Sequence, residues 1–425
     1  MSHGVLVALV GDLEQATVTR VDASPDLVVV RRCADVAELV AAALAGLGSV
    51  AVIDAEHEPD RSLVARLAQA GTSTVVVCDE RDRQRYTAMG AAVVAADEGV
   101  AAVVAATAAA AAAVPTAVAE IVHQEETSAQ EPRRGGLVVV WGPTGAPGRT
   151  TVAINLAAEI AATGQRALLI DADIWGAAVA PSLGLLEESA GIAAAVRAAD
   201  QGTLDEASLL RLCAQVGDGL LVLPGLPRAT RWREVSGAGI DGVWAPARRL
   251  VDWVVVDAGV WVPDDDRAGG FDAVLGQRRN AVTTSALADA DALVMVGAAE
   301  PIGIQRLVQA LLDLDGRPGV PSRRHVVVTR VRAEAAGPRP ADSVREALHR
   351  FAGVGDVLIV PDDRSACDKA SLGGATLVES APKSPAREAI ARLAETVTGV
   401  PAQLRSRRRR AGRGGRASTA STAST

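Results

Sequence analysis

The chain has 425 residues, of which 49% are hydrophobic, 22% are charged and only 2% are aromatic. This apolar content excludes a disordered chain, and the length predicts more than one domain. The formal net charge is −8, but the segment from Arg405 to Arg416 carries seven arginines and no acidic residue, which leaves −15 for the rest. The shortage of aromatic residues predicts cores of Ala, Val and Leu, which are typical of parallel sheets covered by helices.

Neither cysteine nor histidine forms a pattern that indicates a metal site. The 4 cysteines and 5 histidines are scattered, with no CxxC and no HExxH motif, and this cysteine usage favours a reducing compartment. The first residues, MSHGVLVALVGD, lack the basic and apolar regions of a signal peptide. The Ala-rich run from Val100 to Val114 is shorter than the ~20 residues of a membrane span. We therefore expect a cytoplasmic protein.

Short apolar runs alternate with helical patterns in the first part of the chain, over residues 1–118. This alternation predicts five βα units that form an open parallel sheet. The predicted strands are Val5–Val10, Leu27–Val30, Val50–Asp54, Thr74–Cys78 and Ala92–Ala96.

A second βα series is predicted over residues 137–400, after a polar linker at residues 119–136. Its candidate strands are unbroken apolar runs, as expected where helices cover both faces of a parallel sheet. The chain then ends in an Arg-rich, low-complexity tail, residues 401–425, which we expect to be disordered. The predicted strands of the second series are residues 137–141, 167–170, 220–224, 253–257, 292–296, 326–329 and 357–360.

The first strand of the second series leads into a loop that has the features of a phosphate site. Gly145 and Gly148 allow a tight turn whose N–H groups face an anion, and the following helix aims its positive end at the same point. Arg149 and Thr150 stand where a P-loop has its lysine and its magnesium-binding hydroxyl. A strict GxxxxGK(S/T) search fails because of Pro143 and Arg149, so a ligand-free turn remains an alternative. The candidate phosphate-binding residues are Gly145, Ala146, Pro147, Gly148, Arg149, Thr150 and Thr151.

Three aspartates follow predicted strands of the same sheet. Asp171 and Asp173 come after the second strand, and Asp257 stands at the carboxyl end of the fourth. An isolated aspartate after a strand is often only a helix cap. Three of them at the carboxyl ends of strands, where ligands of open α/β sheets bind, favour the handling of magnesium and water.

Over residues 137–399 the chain resembles the MinD/ParA group of P-loop ATPases. The resemblance rests on GAPGRTTVAINLA as a deviant Walker A motif, on the segment LLIDADIWG, on Asp257 as the Walker B acid and on the stretch that begins IVPDDRS. The five preceding units resemble a response-regulator receiver. A receiver-like domain in this position is similar to the CpaE/TadZ branch, which positions pilus assembly machinery, and to actinobacterial proteins called septum-site-determining.

The resemblance implies a P-loop, SIMIBI-type, doubly wound parallel sheet preceded by a flavodoxin-like (βα)5 domain. It implies ATP and Mg²⁺ as cofactors, with Thr150, Asp171 and Asp257 at the metal. It implies catalytic roles for Asp173 and Arg149. The adenine pocket that it implies includes Arg330, Pro361 and Asp362.

Three departures from the family pattern bear on catalysis. The family has a signature lysine that reaches the partner's phosphates, where this chain has Thr144. Arg149 stands in place of the main loop lysine. Its planar guanidinium is not equivalent to a compact ammonium group in a tight phosphate-binding loop. Trp261 stands where the Walker B region usually has glycine. We therefore expect ATP binding with slow or absent hydrolysis, because phosphoryl transfer depends on positive charge.

The first domain lacks the chemistry of a working receiver. Asp54 stands at the phosphoacceptor position, but Asp12 is the only acid directly after the first strand and Cys78 replaces the hydroxyl. The domain contains no lysine. We expect a pseudo-receiver that docks a partner, with Asp54 as a turn or cap residue.

The leading hypothesis is a homodimeric, nucleotide-switched protein that positions a partner from the pilus or division machinery. The Arg-rich tail has three interpretations: a solvated tail, a peripheral contact with anionic lipid, or a nucleic-acid contact. The acidic balance of the body argues against ParA-like DNA partitioning. The alternatives are a nucleotide-independent pseudo-ATPase scaffold and a synthetase-type enzyme, for which we find no second-substrate site.

Overall fold

The computed structural model describes residues 2–113, 134–185, 190–260, 280–317 and 319–402. Most of the predicted linker, Trp261 and the Arg-rich tail beyond residue 402 lie outside these ranges. Among the described residues, no helix is long and apolar enough to cross a membrane.

The N-terminal unit is a five-stranded parallel sheet in the order β2-β1-β3-β4-β5. Its strands β1 to β5 are His3–Ala8, Leu27–Arg32, Val50–Asp54, Ser73–Cys78 and Ala92–Ala95. Its helices α1 to α5 are Asp12–Asp22, Val36–Leu44, Arg61–Gln69, Arg83–Ala88 and Gly99–Ala113. This architecture confirms the receiver-like (βα)5 prediction.

The C-terminal unit is an eight-stranded sheet in the order β13-β12-β11-β6-β10-β7-β9-β8. Its strands β6 to β13 are Gly136–Trp141, Ala167–Ala172, Ala214–Gln215, Leu220–Leu223, Trp253–Ala258, Ala292–Ala298, Arg324–Val331 and Val357–Pro361. The α-helices α6 to α11 are Arg149–Ala162, Val179–Ser182, Gly191–Asp200, Glu206–Leu212, Gly237–Leu250 and Ala281–Asp289. The α-helices α12 to α17 are Pro301–Asp313, Ala333–Ala336, Pro340–Ala352, Arg364–Leu372, Leu377–Ser380 and Pro385–Thr398.

The doubly wound P-loop architecture is confirmed, with one addition. All seven predicted strands are present, and their pairings are parallel. The sequence did not predict β8, a two-residue strand that pairs antiparallel with β9. Two residues are too few to produce a hydrophobic period. A turn with glycines in the left-handed region, at Gly217 and Gly219, joins β8 to β9.

Apolar side chains cover the C-terminal sheet on both faces. On one face, Val138 and Val140 of β6 pack in a cluster with Leu156 of α6 and Ile390 of α17. The opposite faces of the same strands join a second cluster with helices α8 and α10. Burial on both sides explains why these strands read as continuous apolar runs. It also fixes the carboxyl ends of β6, β7, β10, β12 and β13 at one edge of the sheet.

The N-terminal unit packs on helices α8 and α10 of the C-terminal unit. Helix α3 contacts both of these helices. The Ser62 hydroxyl donates to the Ser236 hydroxyl across the contact (3.1 Å). Gly202, at the end of α8, lies so close to Arg85 and Met89 that a Cβ atom there would fall 2.9 Å and 3.0 Å from their side chains.

Candidate functional site

The loop between β6 and α6 makes the tight turn that its glycines predict. Gly145 and Gly148 have φ angles of 72° and 95°, in the left-handed region that glycine adopts without strain. The Ala146 N–H donates to the Pro143 carbonyl and closes the turn (3.0 Å). A Cβ atom on Gly148 would lie 3.3 Å from the Thr329 side chain. The loop therefore has room for its backbone but little room for further side chains.

Helix α6 begins directly after this loop and presents its N-terminus to it. Gly148 precedes the helix and makes no side-chain capping bond. The N–H groups of the first turn, at Arg149, Thr150 and Thr151, are therefore not capped by the preceding residue, and the helix dipole places partial positive charge there. This arrangement suits an anion such as a phosphate group.

Two buried carboxyl groups lie side by side behind the helix start. Asp257 of β10 is in register with Asp171 of β7, and each residue is 1% exposed. Burial raises the pKa of Asp171 to about 7 and the pKa of Asp257 to about 8, and repulsion from Asp171 contributes to the second shift. A hydrogen bond from Thr150 opposes the shift at Asp257. Within the described residues, Oδ2 of Asp257 has no hydrogen-bond partner.

Asp171 and Asp173 shape the segment that follows β7. The Asp171 carboxylate accepts the N–H groups of Asp173 (3.3 Å) and Val179 (3.0 Å). Oδ1 of Asp173 accepts the N–H groups of Trp175 (3.1 Å) and Gly176 (3.0 Å). Both oxygens of Asp171 are thus engaged by the backbone, whereas Oδ2 of Asp173 faces the phosphate loop.

Arg149 bridges the loop and this acidic segment. Its Nη1 donates to the Gly142 carbonyl (3.1 Å), and its Nη2 lies 3.5 Å from Oδ2 of Asp173. The Arg149 and Asp173 side chains are only 16% and 12% exposed. The two contacts use two different nitrogens of the planar guanidinium, which a single ammonium does not offer. Arg149 therefore bridges the loop and Asp173 in a way that a lysine at this position would not.

A cavity of about 430 Å³ opens beside the loop. This volume is in the range of small-molecule sites. The Thr329 hydroxyl donates to the Pro147 carbonyl (2.8 Å) and ties the loop to β12 at the cavity wall. The cavity brings together five residues of the predicted nucleotide site: Gly148, Thr151, Arg330, Pro361 and Asp362.

Arg330 reaches this cavity from an irregular position in β12. The register between β12 and β13 shifts between Val328 and Val331. Arg330 lies in that shift with a φ of 55°, in the left-handed region, which is costly for a residue with a side chain. Backbone strain of this kind concentrates at binding sites.

The residues around Thr150 fit a magnesium ion. Magnesium prefers oxygen ligands and combines one or two protein groups with water and substrate phosphates. The Thr150 hydroxyl and the unpartnered oxygen of Asp257 supply such groups. Among the described residues, no group of three or more His, Cys, Asp or Glu side chains is arranged to hold a metal ion. The three aspartates therefore do not form a protein-only cage, and phosphate and water would complete the coordination.

Sequence reasoning missed two residues that hold the loop. One is Thr329, whose hydroxyl contacts Pro147 as described above. The other is Arg306 of α12, whose Nη1 donates to the Thr144 carbonyl (3.0 Å). Arg306 and Thr144 are separated by 162 positions, and no local motif marks the pair. Thr329 ends a predicted strand at the ligand-binding edge, which was the available signal for it.

The corresponding edge of the N-terminal unit shows a structural role for Asp54. Its Oδ1 accepts the Glu56 N–H (3.0 Å) and caps a short 3₁₀ helix, Ala55–His57. This confirms the prediction that Asp54 acts as a cap residue. Cys78 is buried, and burial raises the pKa of its thiol.

Residues 138–373 match the family described as the CobQ/CobB/MinD/ParA nucleotide binding domain. This match spans more than half of the chain, and the chain belongs to that family. Comparison with curated proteins gives no match.

The fold is also similar to solved structures of low sequence identity. The cell division ATPase MinD of Pyrococcus furiosus is 18% identical, with a TM-score of 0.48 over 62% of this chain and 98% of that chain. A ParA family ATPase from Chlorobium tepidum TLS is 17% identical, with a TM-score of 0.49 over the same shares. The septum site-determining protein MinD of Pyrococcus horikoshii OT3, in complex with Mg-ADP, is 18% identical, with a TM-score of 0.48 over 62% of this chain and 96% of that chain.

Proposed function

We propose that this protein binds Mg-ATP in its C-terminal unit and uses the bound nucleotide as a switch to position a protein partner. The observation that carries the proposal is that the loop borders the 430 Å³ cavity at Gly148 and Thr151 and leads into the Thr150–Asp257 pair. Membership of a nucleotide-binding family supports it.

Separate parts of the site have separate proposed roles. Thr150 and Asp257 hold magnesium, which supplies positive charge to the phosphates when it is bound. The loop amides and the start of α6 hold the phosphates, and the cavity beside Arg330 and Pro361 receives the base. Asp173 orients water through the carboxylate oxygen that faces the loop.

Hydrolysis is proposed to be slow. Arg149 is held by the Gly142 carbonyl and lies near Asp173, so part of its charge is already compensated within the protein. Thr144 brings no charge of its own to the loop. Because phosphoryl transfer depends on charge stabilisation, a weakened cation set lowers the rate more than it lowers binding.

The role in the cell is proposed from the two-unit arrangement. We assign residues 1–118 and 137–400 to separate domains, and we propose a homodimer whose front domain recruits a partner. Asp54 serves as a cap and the front unit has no lysine, which supports docking in place of phosphotransfer. A CpaE/TadZ-like role in pilus assembly or a role in septum-site determination fits this arrangement, at the inner face of the membrane or in the cytoplasm.

Calorimetric titration of the full-length protein with Mg-ATP tests the proposal. We expect saturable binding that weakens when EDTA removes magnesium. The titration is accompanied by single-turnover hydrolysis, in which we expect wild type to be slow and Arg149→Lys alone to remain slow. Absence of magnesium-dependent binding would establish the nucleotide-independent scaffold instead.

A further inference from the structure

A second cation lies against the phosphate loop, and it comes from outside the loop. Arg306 projects from the first half of α12 and donates from Nη1 to the Thr144 carbonyl (3.0 Å). At the next residue, Gly145, a Cβ atom would lie 2.4 Å from the same Nη1. The guanidinium therefore packs directly on the backbone of Thr144 and Gly145, in space that any other residue at position 145 would fill.

The surroundings leave the charge of Arg306 available. Among the described residues, no carboxylate forms an ion pair with Arg306, and the Thr144 carbonyl is the acceptor identified for it. Arg149, by contrast, has Asp173 at 3.5 Å. A guanidinium has five N–H donors in a rigid fork, so one bond to Thr144 leaves others for an anion.

We infer that Arg306 is a positioning residue for the phosphates: it holds the start of the loop and adds positive charge there from within the same chain. The inference rests on the proposed nucleotide function and names the residue that supplies the charge that Thr144 does not. Arg306 fixes the backbone whose N–H groups receive the anion. Its positive charge also favours ligands whose phosphate groups carry more negative charge.

The test measures the dissociation constants of Mg-ATP, Mg-ADP and adenosine for wild type, Arg306→Ala, Arg306→Gln and Arg306→Lys. We expect Arg306→Ala to weaken Mg-ATP binding by about tenfold or more, to weaken Mg-ADP less and to leave adenosine unchanged. Arg306→Lys should recover most of the affinity, whereas Arg306→Gln, which keeps a donor without the charge, should not. A purely structural role would lower the affinity for all three ligands alike.

Arg345→Ala is the matched control. Arg345 lies on α14, its side chain is 49% exposed, and its Nη1 lies 3.6 Å from the exposed carboxylate of Asp342. Its loss removes one positive charge without touching the loop, so we expect wild-type affinities.

Besides an equal loss of affinity for all three ligands, two outcomes overturn the inference while the proposed function stands. In one, wild type binds Mg-ATP and Arg306→Ala or Arg306→Gln binds it equally well. In the other, hydrogen exchange of the amides at residues 144–146, measured without nucleotide, is the same in wild type and Arg306→Ala. Failure of wild type to bind any nucleotide overturns the proposed function, and the charge role of Arg306 falls with it. The exchange measurement still decides its contact with the loop.

Discussion

Asp257 is in the most demanding environment of the site residues. Its carboxyl group is buried at the end of β10, beside Asp171, and one of its oxygens lacks a partner within the described residues. An unsatisfied buried polar atom typically costs about 1–3 kcal/mol. A cation shared with Thr150 would remove this cost and would favour the ionised form of the carboxyl group. The site therefore contains a buried oxygen atom that a positive ion would satisfy.

Thr150→Ala tests this arrangement at a single hydroxyl. We expect the affinity for Mg-ATP to fall by about tenfold, because the magnesium ion loses a protein oxygen ligand. Binding of ATP in EDTA should change little. Titration calorimetry measures both affinities, and the melting temperature reports any loss of fold.

Thr163→Ala, at the residue that directly follows α6, serves as the control. Its hydroxyl donates to the Ile160 carbonyl at the far end of α6, away from the loop. If Thr150→Ala and Thr163→Ala bind Mg-ATP equally well, Thr150 is not a metal ligand.

Helix α6 is fixed to neighbouring helices at its middle and near its end. Asn155 of α6 accepts the Leu377 N–H through Oδ1 (2.7 Å). One turn later, Glu159 makes a two-bond ion pair with Arg387 of α17, at 2.7 Å and 3.1 Å. Both side chains are buried, and burial raises the pKa of Glu159 against the opposing effect of Arg387. The helix that presents its N-terminus to the phosphate loop is thus fastened to the last helix of the fold.

Arg387→Ala should be strongly destabilising because it leaves the Glu159 carboxylate buried without its partner. We expect the free energy of unfolding of the C-terminal unit to fall by about 3–5 kcal/mol. Urea denaturation followed by circular dichroism measures the change.

Two further variants separate the loss of the ion pair from other effects of the substitution. The double change Glu159→Leu with Arg387→Met should lose less than Arg387→Ala, since a well-packed apolar pair often replaces a buried ion pair at little cost. Arg392→Ala, at an exposed position of the same helix, should change stability by less than about 0.5 kcal/mol. Equal losses in Arg387→Ala and the double variant would show that packing, not charge, governs the contact.

Elements were predictable from the sequence where a local signal existed. Strands such as β6 and β10 are continuous apolar runs because helices cover both of their faces. The glycines of the phosphate loop predicted its tight turn. Arg306 and Asp363 were not identified, because their roles depend on partners that are distant in the chain: Arg306 contacts Thr144, and Asp363 accepts the Ser384 hydroxyl (2.6 Å). Such contacts follow from the tertiary fold, which no local pattern encodes.

The two units of the chain meet at an acidic residue, Asp200. Asp200, at the end of α8, accepts the Ser236 hydroxyl (3.4 Å). Across the contact, α3 and the residue before it bring Asp60, Arg61 and Ser62 to the same place. Burial is the main cause that raises the pKa of Asp200 to about 6, and repulsion from Asp60 is the second. Ser236, Arg61 and Ser62 oppose the shift. We therefore expect the contact between the units to depend on pH.

The sign of this dependence follows from the raised pKa. The folded molecule holds a proton on Asp200 more tightly than the unfolded chain does, so stability gained from this group increases as the pH falls through about 6. Asp200→Asn removes the charge and keeps the shape. We expect it to raise the melting temperature at pH 7.5, by an amount that corresponds to about 1 kcal/mol after allowance for solvent screening. The increase should be smaller at pH 5, because the difference disappears only when the pH falls below the ordinary aspartate pKa of 3.8.

Thermal unfolding of wild type and Asp200→Asn between pH 5 and pH 7.5 measures this difference. Wild type and Asp200→Asn both contain Asp171 and Asp257, so the effect of these two groups on the melting temperature cancels when the proteins are compared at the same pH. Asp218→Asn, at an exposed position, should follow wild type throughout. A constant offset between wild type and Asp200→Asn across the pH range would contradict the assignment.

The segment after β7 contains a natural fluorescent probe, Trp175. Trp175 is 40% exposed, and its backbone N–H donates to Oδ1 of Asp173. The centroid of its ring lies 5.5 Å from that of the buried Trp232 ring. Indole emission depends on solvent contact and on neighbouring rings. A ligand that rearranges Asp173 therefore changes the fluorescence of the unlabelled protein, and stopped-flow mixing would follow that rearrangement in real time.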